Sequence, residues 1–239
     1  MDNNGKGAGP IGIIGAMQSE MDAIKAQIED PRVETVSGVD FVKGKIHGVP
    51  VVVATSGMGK VFAALCAQTI ILNYRPRLVI NVGVSGSLTP DLNIGDIAVA
   101  DAVVQHDMDA GGIGFPIGTI PGLDIVEIPC CKETADALQK SAERLGFHNR
   151  RGVIASGDIF VQDKDRKEFI ANQFNAISCE MEGASIGHVC YVNETPFCVL
   201  RAISDNGDEG ANQDYDMSLD MAADQATRVM DGFLKELGE

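Results

Sequence analysis

Several carboxylates in this chain stand at one kind of junction, where a short apolar run gives way to a helix-like one. Asp205 closes the run that passes from Pro196 to Ala202-Ile203-Ser204. Glu180 and Glu182 flank Met181 just after Ile177-Ser178-Cys179. Glu20 follows Ile11-Gly12-Ile13-Ile14 by a few residues. In open α/β sheets, ligands bind beyond the carboxyl ends of the strands. Acids collected at such an edge suit general acid/base work on a small neutral substrate.

Each of these residues also has a purely structural use. Glu20 falls in the first turn of an expected helix, where a negative charge gains about 0.3–1 kcal/mol from the helix dipole. Glu180 and Glu182 are two apart, so on an extended strand they share a face. That pair would then be a solvated strand end, since burial without partners costs free energy. Asp205 suits the N-cap or turn position before the glycine-rich stretch 206–210. Their shared placement, more than any one of them, points to a site.

The elements that must carry these acids alternate along the chain. Strands are expected at 11–14, 40–46, 49–54, 78–82, 97–104, 153–156, 177–181 and 197–203. Helices are expected at 19–27, 60–72, 132–145, 166–172, 184–192 and 219–237. The stretch 40–54 reads as a hairpin turning at His47-Gly48, which makes the sheet mixed. No repeat or linker interrupts the pattern. Residues 11–239 are expected to form one domain, behind a loose polar extension at 1–10.

Composition narrows the function further. The 239 residues are enough for one large α/β domain with a sizeable core. A net charge of −15 disfavours nucleic acid and anionic membrane as partners. No apolar run approaches the roughly 18 residues that cross a bilayer, and the N-terminus lacks the apolar region of a secretory signal. Cys66, Cys179, Cys190 and Cys198 sit in apolar runs as small hydrophobes, and with Cys130 and Cys131 they form no metal spacing. That usage suits a reducing cytoplasm.

Several superficial motifs fail. Gly7-Ala8-Gly9-Pro10-Ile11-Gly12 has dinucleotide-site spacing but precedes the first strand instead of following it. Ser56-Gly57-Met58-Gly59-Lys60-Val61 lacks the upstream glycine and the Ser/Thr of a P-loop. The acidic stretch from Asp205 does not have EF-hand spacing. His106, Asp107 and Asp109 supply a single imidazole and read as a polar loop. No cofactor and no metal is expected.

Taken together, the sequence resembles the bacterial 5′-methylthioadenosine/S-adenosylhomocysteine nucleosidases, within the purine nucleoside phosphorylase-like superfamily. The resemblance runs from Ile11 to the C-terminal helix. Its pieces are Ile11-Gly12-Ile13-Ile14-Gly15-Ala16-Met17-x-x-Glu20, Ser56 to Val61, Ser156-Gly157-Asp158-x-Phe160-Val161, Glu180-Met181-Glu182 and Arg201-Ala202-Ile203-Ser204-Asp205. It implies a three-layer α/β/α sandwich around a mixed, partly barrel-like sheet. The implied reaction is hydrolysis of the glycosidic bond between adenine and a 5′-substituted ribose.

The resemblance also implies roles. Asp205, oriented by Ser204, would protonate adenine N7, and Glu20 would activate the attacking water. Glu182 would hold the ribose hydroxyls, with Met181 packed against the sugar. Phe160 would stack on adenine while the Val161 backbone reads the base edge. Met17 and Met58 match apolar pocket positions. Val84-Ser85-Gly86-Ser87 stands where relatives more often carry Ser-Ala-Gly-Gly, close to the ribose and water. Tyr215 matches an aromatic that covers the ligand, on a segment that Gly207 and Gly210 would make mobile as a lid. The family is homodimeric, and Ile113, Phe115 and Pro121 match positions that complete a neighbour's 5′ pocket.

Rival readings differ in their residues. A phosphorylase needs fixed cations for phosphate, and related ones begin an Arg-x-Gly-x-x-Gly turn with arginine. Here Asn81 stands at that place in Asn81-Val82-Gly83-Val84-Ser85-Gly86, and the loop with Glu20 carries no arginine. Water is therefore the expected nucleophile. Nucleosidases acting on futalosine or aminofutalosine fit the same pattern. A non-catalytic nucleoside-binding protein would not need both an acid and a base.

Overall fold

The computed structural model describes residues 9–239. Residues 1–8 lie outside the described residues, so most of the expected extension, with Gly7 and Ala8 of the glycine motif, lies there too.

Predominantly apolar runs build the centre. Strand β1 (Ile11–Gly15) is buried along its length and pairs in parallel with β4 (Val49–Thr55) and β5 (Leu78–Ser87). Buried on both faces, such strands read as unbroken hydrophobic stretches. Outward from β4 run β3 (Val39–Ile46) and β2 (Glu29–Val36), both antiparallel. His47 and Gly48 link β3 to β4, both at positive φ, as a tight hairpin turn requires.

On its other side β5 enters a ring. It pairs in parallel with β10 (Phe197–Asp205), which pairs antiparallel with β6 (Ile97–Gln105). Strand β6 runs parallel to β8 (Asn149–Ser156), and β8 to β9 (Ala176–Glu180). Strand β9 returns to β5 through Gly86 opposite Cys179, so five strands close a barrel. A two-residue strand, β7 (Ile128–Pro129), adds to β6.

Alternation along the strands sorts the helices into layers. Ile13, Val53 and Ile80 meet α1 (Gln18–Lys25), α3 (Lys132–Arg144) and α6 (Ala211–Gly238). Ile14, Val52 and Val79 point the other way, toward α2 (Lys60–Tyr74) and α5 (Gly183–Val192). Helix α4 (Lys164–Phe174) packs Ile170 and Phe174 against a third cluster under β8 and β9. The layers and the mixed, partly closed sheet agree with the expected fold class.

Beyond the unexpected two-residue β7 and the continuation of β5 from the expected 82 to Ser87, two larger elements depart from the sequence reading. Strand β2 was not expected, because its residues are nearly all exposed and half of them are charged; its backbone pairing with β3 makes it an edge. Helix α6 starts at Ala211, eight residues before the expected 219, through the acid-rich stretch that obscured its periodicity. Tyr215 therefore sits on a helix and not on a loop lid.

Candidate active site

The C-terminal ends of β1, β5, β9 and β10 converge on a cavity of about 460 Å³, within the usual range for small-molecule sites. Strands β5 and β9 are antiparallel, yet both of their C-terminal ends reach the cavity because they overlap only at their last residues.

Glu20 enters from α1. As the third helical residue it accepts the N–H groups of Ala16 and Met17 on Oε2, each at 2.9 Å, satisfying donors that the helix start leaves free. Its other oxygen accepts the Val84 N–H at 3.1 Å, across from β5. The helix-terminus use and the site use thus coincide. Burial pushes its carboxyl above the ordinary range, against the pull of Arg201 and these three N–H groups.

Asp205 ends β10. Its Oδ1 accepts the Gly207 N–H and its Oδ2 the Ser204 hydroxyl, both at 2.9 Å. Burial again raises the carboxyl, opposed by those two bonds. Gly207 adopts φ +61°, which turns the chain so that its N–H faces Asp205.

Glu180 and Glu182 do not share a strand face as expected. Strand β9 ends at Glu180, and Glu182 is already the N-cap of α5. Glu180 is fully engaged: Oε2 accepts the N–H groups of Glu182 (2.8 Å) and Gly183 (2.7 Å), Oε1 takes the Ser156 hydroxyl, and Arg201 is its ion-pair partner. Burial alone would raise its carboxyl, but Arg201, Ser156 and the two N–H groups hold it below the ordinary range. Glu182 turns to the cavity and accepts the Gly59 N–H on Oε1 at 2.8 Å. Burial and the charge of Glu180 push it up to about 7.

The remaining expected residues divide clearly. Met17, Met58, Val84, Ser85, Gly86, Phe160, Met181, Ser204 and Tyr215 line the cavity with Glu20, Glu180, Glu182 and Asp205. Val161 lines a small adjoining recess that shares Gly86, Phe160 and Asp205. Phe160 and Tyr215 meet edge-to-face with centroids 5.7 Å apart, and Tyr215 Oη donates to Met17 Sδ at 3.1 Å. Ser85 Oγ is buried with no protein partner among the described residues. Ile113, Phe115 and Pro121 are not brought to the cavity of their own chain; Ile113 is 77% exposed.

Arg201 was missed as a site residue. It is fully buried in β10, bonded to Asn81 and Glu180, and Glu20, Glu180 and Glu182 all raise its pKa. The signal was present: a cation inside the otherwise apolar run of β10 demands buried partners. No Lys or Arg among the described residues lines the cavity. No helix among them is long and apolar enough to cross a membrane.

Comparison with known proteins agrees with this fold. A family model for the phosphorylase superfamily matches residues 10–235. The chain is 39% identical to an aminodeoxyfutalosine nucleosidase of Helicobacter pylori, over 95% of this chain and 98% of the relative. It is 35% identical to a 5′-methylthioadenosine/S-adenosylhomocysteine nucleosidase of a Marinomonas species, over 94% of this chain and 98% of the relative. The crystal structure of the Neisseria meningitidis 5′-methylthioadenosine/S-adenosylhomocysteine nucleosidase with methylthio-immucillin-A superposes with a TM-score of 0.92. That pair is 30% identical and covers 95% of this chain and 99% of the other.

Proposed function

The chain belongs to the phosphorylase superfamily, and from that premise we propose that it is a nucleosidase. It hydrolyses the N-glycosidic bond of 5′-methylthioadenosine and S-adenosylhomocysteine, releasing adenine and a 5-substituted ribose. The observation that carries this reading is the cavity itself, which joins Glu20, Glu182 and Asp205 without a cationic side chain to hold phosphate.

The reaction follows from the environments of the acids. Adenine is a poor leaving group as an anion, so Asp205, its carboxyl raised by burial, donates a proton to N7 as the bond from C1′ to the base breaks. The bonding pair leaves with the base. Water then bonds to C1′ and gives its proton to Glu20, which the three N–H groups hold in place. Glu182, in its ionised form, accepts from the ribose hydroxyls and stabilises the positive charge that develops on the sugar. Met181 packs under the ribose, Phe160 stacks on adenine and Val161 reads the base edge. Met17, Met58 and Tyr215 close the apolar remainder.

An aminodeoxyfutalosine is the second reading, because it calls for the same acid and base and the Helicobacter relative bears that name. We further propose a homodimer in which Ile113, Phe115 and Pro121 complete the neighbour's 5′ pocket. The exposed apolar side chains of α2, among them Val61, Phe62 and Leu65, support such a contact. Six free cysteines are consistent with a reducing bacterial cytoplasm, where the enzyme would serve methionine salvage.

The test is adenine release from methylthioadenosine, S-adenosylhomocysteine and aminodeoxyfutalosine, each with and without phosphate. Release that is independent of phosphate is expected. A strict requirement for phosphate would make the protein a phosphorylase, and no release from any of the three would remove the catalytic reading.

A further inference from the structure

Lys60, Asp107 and Asp158 come from separate parts of the chain and meet in a closed ring of bonds beside the cavity. The Lys60 backbone N–H donates to Asp158 Oδ1 at 2.7 Å. The Asp158 N–H donates to Asp107 Oδ2 at 2.9 Å. The Lys60 ammonium closes the ring on Asp107 Oδ1 at 2.7 Å and also reaches Gln105 Oε1 at 3.2 Å. The ion pair is largely covered, with its side chains 18% and 17% exposed, so solvent screens it less than a surface pair.

None of the three lines the cavity, but Lys60 and Asp158 each stand two residues from a side chain that does, and Asp107 ties them together. Gly59, one residue before Lys60, donates its N–H to Glu182. Met58 precedes it in the wall, and Phe160 lies two residues beyond Asp158. Asp158 caps the start of α2 from a different loop, using a donor that the helix cannot satisfy itself. Gly59 adopts φ +95°, and a Cβ there would stand 3.0 Å from Asp158 Oδ1, so only glycine lets the loop approach so closely. The ring therefore joins the loop facing Glu182 to the loop carrying Phe160.

Resting on the nucleosidase reading, we propose that Lys60, Asp107 and Asp158 are positioning residues that set nucleoside affinity. They hold Gly59 against Glu182 and Phe160 over the base, so that the ribose and adenine subsites keep a fixed separation. Helix α2 is anchored independently by Ala63, Cys66, Ala67 and Ile70 in the core. Loosening the ring thus shifts the loops and leaves the fold intact. The proton transfers at Asp205 and Glu20 involve no member of the ring.

The experiment compares Asp107→Asn, Lys60→Met, their combination and Lys60→Arg in the full chain. Readouts are KM and kcat with methylthioadenosine, Kd for a non-hydrolysable C-nucleoside analogue of adenosine, and the melting temperature. Each single loss is expected to raise KM and Kd about tenfold with kcat within about threefold, the pattern of lost ground-state binding. The double variant should be no worse than either single one, because one ring is broken once. Lys60→Arg should recover much of the affinity.

Unchanged KM and Kd with a lowered melting temperature would make the ring merely structural and overturn the proposal. Multiplying losses in the double variant would also overturn it. Lys60→Met keeps the backbone bond to Asp158 and carries the test if Asp107→Asn does not fold. A wild-type protein that binds the analogue but releases no adenine would defeat the nucleosidase reading, while the Kd values would still judge the ring. A wild type that fails to bind the analogue would overturn both.

Discussion

Arg201 stands 3.7 Å from Glu182, beyond hydrogen-bond reach, because its guanidinium is already bonded to Glu180 and Asn81. This buried cation is therefore shared unequally between the two acids that flank Met181. Glu180 receives it and stays ionised as a structural counterion. Glu182 receives a single N–H bond and keeps a carboxyl pushed up to about 7. Two glutamates of identical chemistry acquire different uses through this difference in distance.

Removing either acid should separate the two roles. Glu180→Gln leaves Arg201 without its main counterion, and breaking a buried pair from one side costs about 3–5 kcal/mol. A matching drop in unfolding free energy is expected in urea titrations. Glu182→Gln should leave stability near that of the parent while turnover collapses.

Stability should fall as pH rises across the range in which Glu182 ionises. Its carboxyl is raised in the folded protein from 4.5 to about 7, so the folded state binds the proton more tightly. The contribution is fully present below the unfolded value and is lost as pH climbs through about 7. Glu20 and Asp205, also raised, act with the same sign, and Glu180, lowered, with the opposite one. Urea midpoints measured across this window should decline less steeply in Glu182→Gln than in the parent.

Asp205→Asn and Glu20→Gln should each lower kcat by about 10²–10⁴, the usual worth of a general acid or base. Binding of a non-hydrolysable adenosine analogue, measured by calorimetry, should change little in either. A variant that turns over at near-parental rate would lose its assigned role.

Two glycines are expected to be as sensitive as the acids. A Cβ on Gly86 would stand 2.6 Å from Asp205 Oδ1, and one on Gly83 would stand 2.5 Å from Glu20 Oε1 and collide with Arg201. Overpacking of this kind costs about 1–3 kcal/mol. Gly86→Ala and Gly83→Ala should therefore stay folded at room temperature but lose most of their kcat, as steady-state assays would register.

The proposed dimer has its own test. Leu65 is 61% exposed on α2, beside Val61 and Phe62. Leu65→Asp should shift sedimentation from dimer toward monomer and raise KM for methylthioadenosine, since Ile113, Phe115 and Pro121 of a neighbour would no longer close the 5′ pocket. A monomeric parent would end this part of the reading.

Much of the architecture was legible from local pattern alone. Mostly apolar runs, interrupted only by Asn81 in β5 and Arg201 in β10, marked the inner parts of β1, β5 and β10, since strands buried on both faces leave no room for alternation. The ends of β1, β9 and β10 marked Glu20, Glu182 and Asp205, because a chain leaving a strand for a helix passes the sheet edge where polar groups can collect. Strand β2 and the first turns of α6 escaped notice for the converse reason. Their exposed charges carry no burial signal, and backbone pairing or helix continuation forms them.

What the chain could not disclose locally was how its charges are shared. Glu180 and Glu182 look equivalent in sequence, and Arg201 lies about twenty residues away from both. Only closure of the barrel brings Arg201 beside Asn81 and Glu180 and leaves Glu182 facing the cavity. Residue types determined which groups can carry a proton. The tertiary fold decided which of them holds one, because ionisation in a buried site depends on desolvation and on charges a few ångströms away, and sequence distance measures neither.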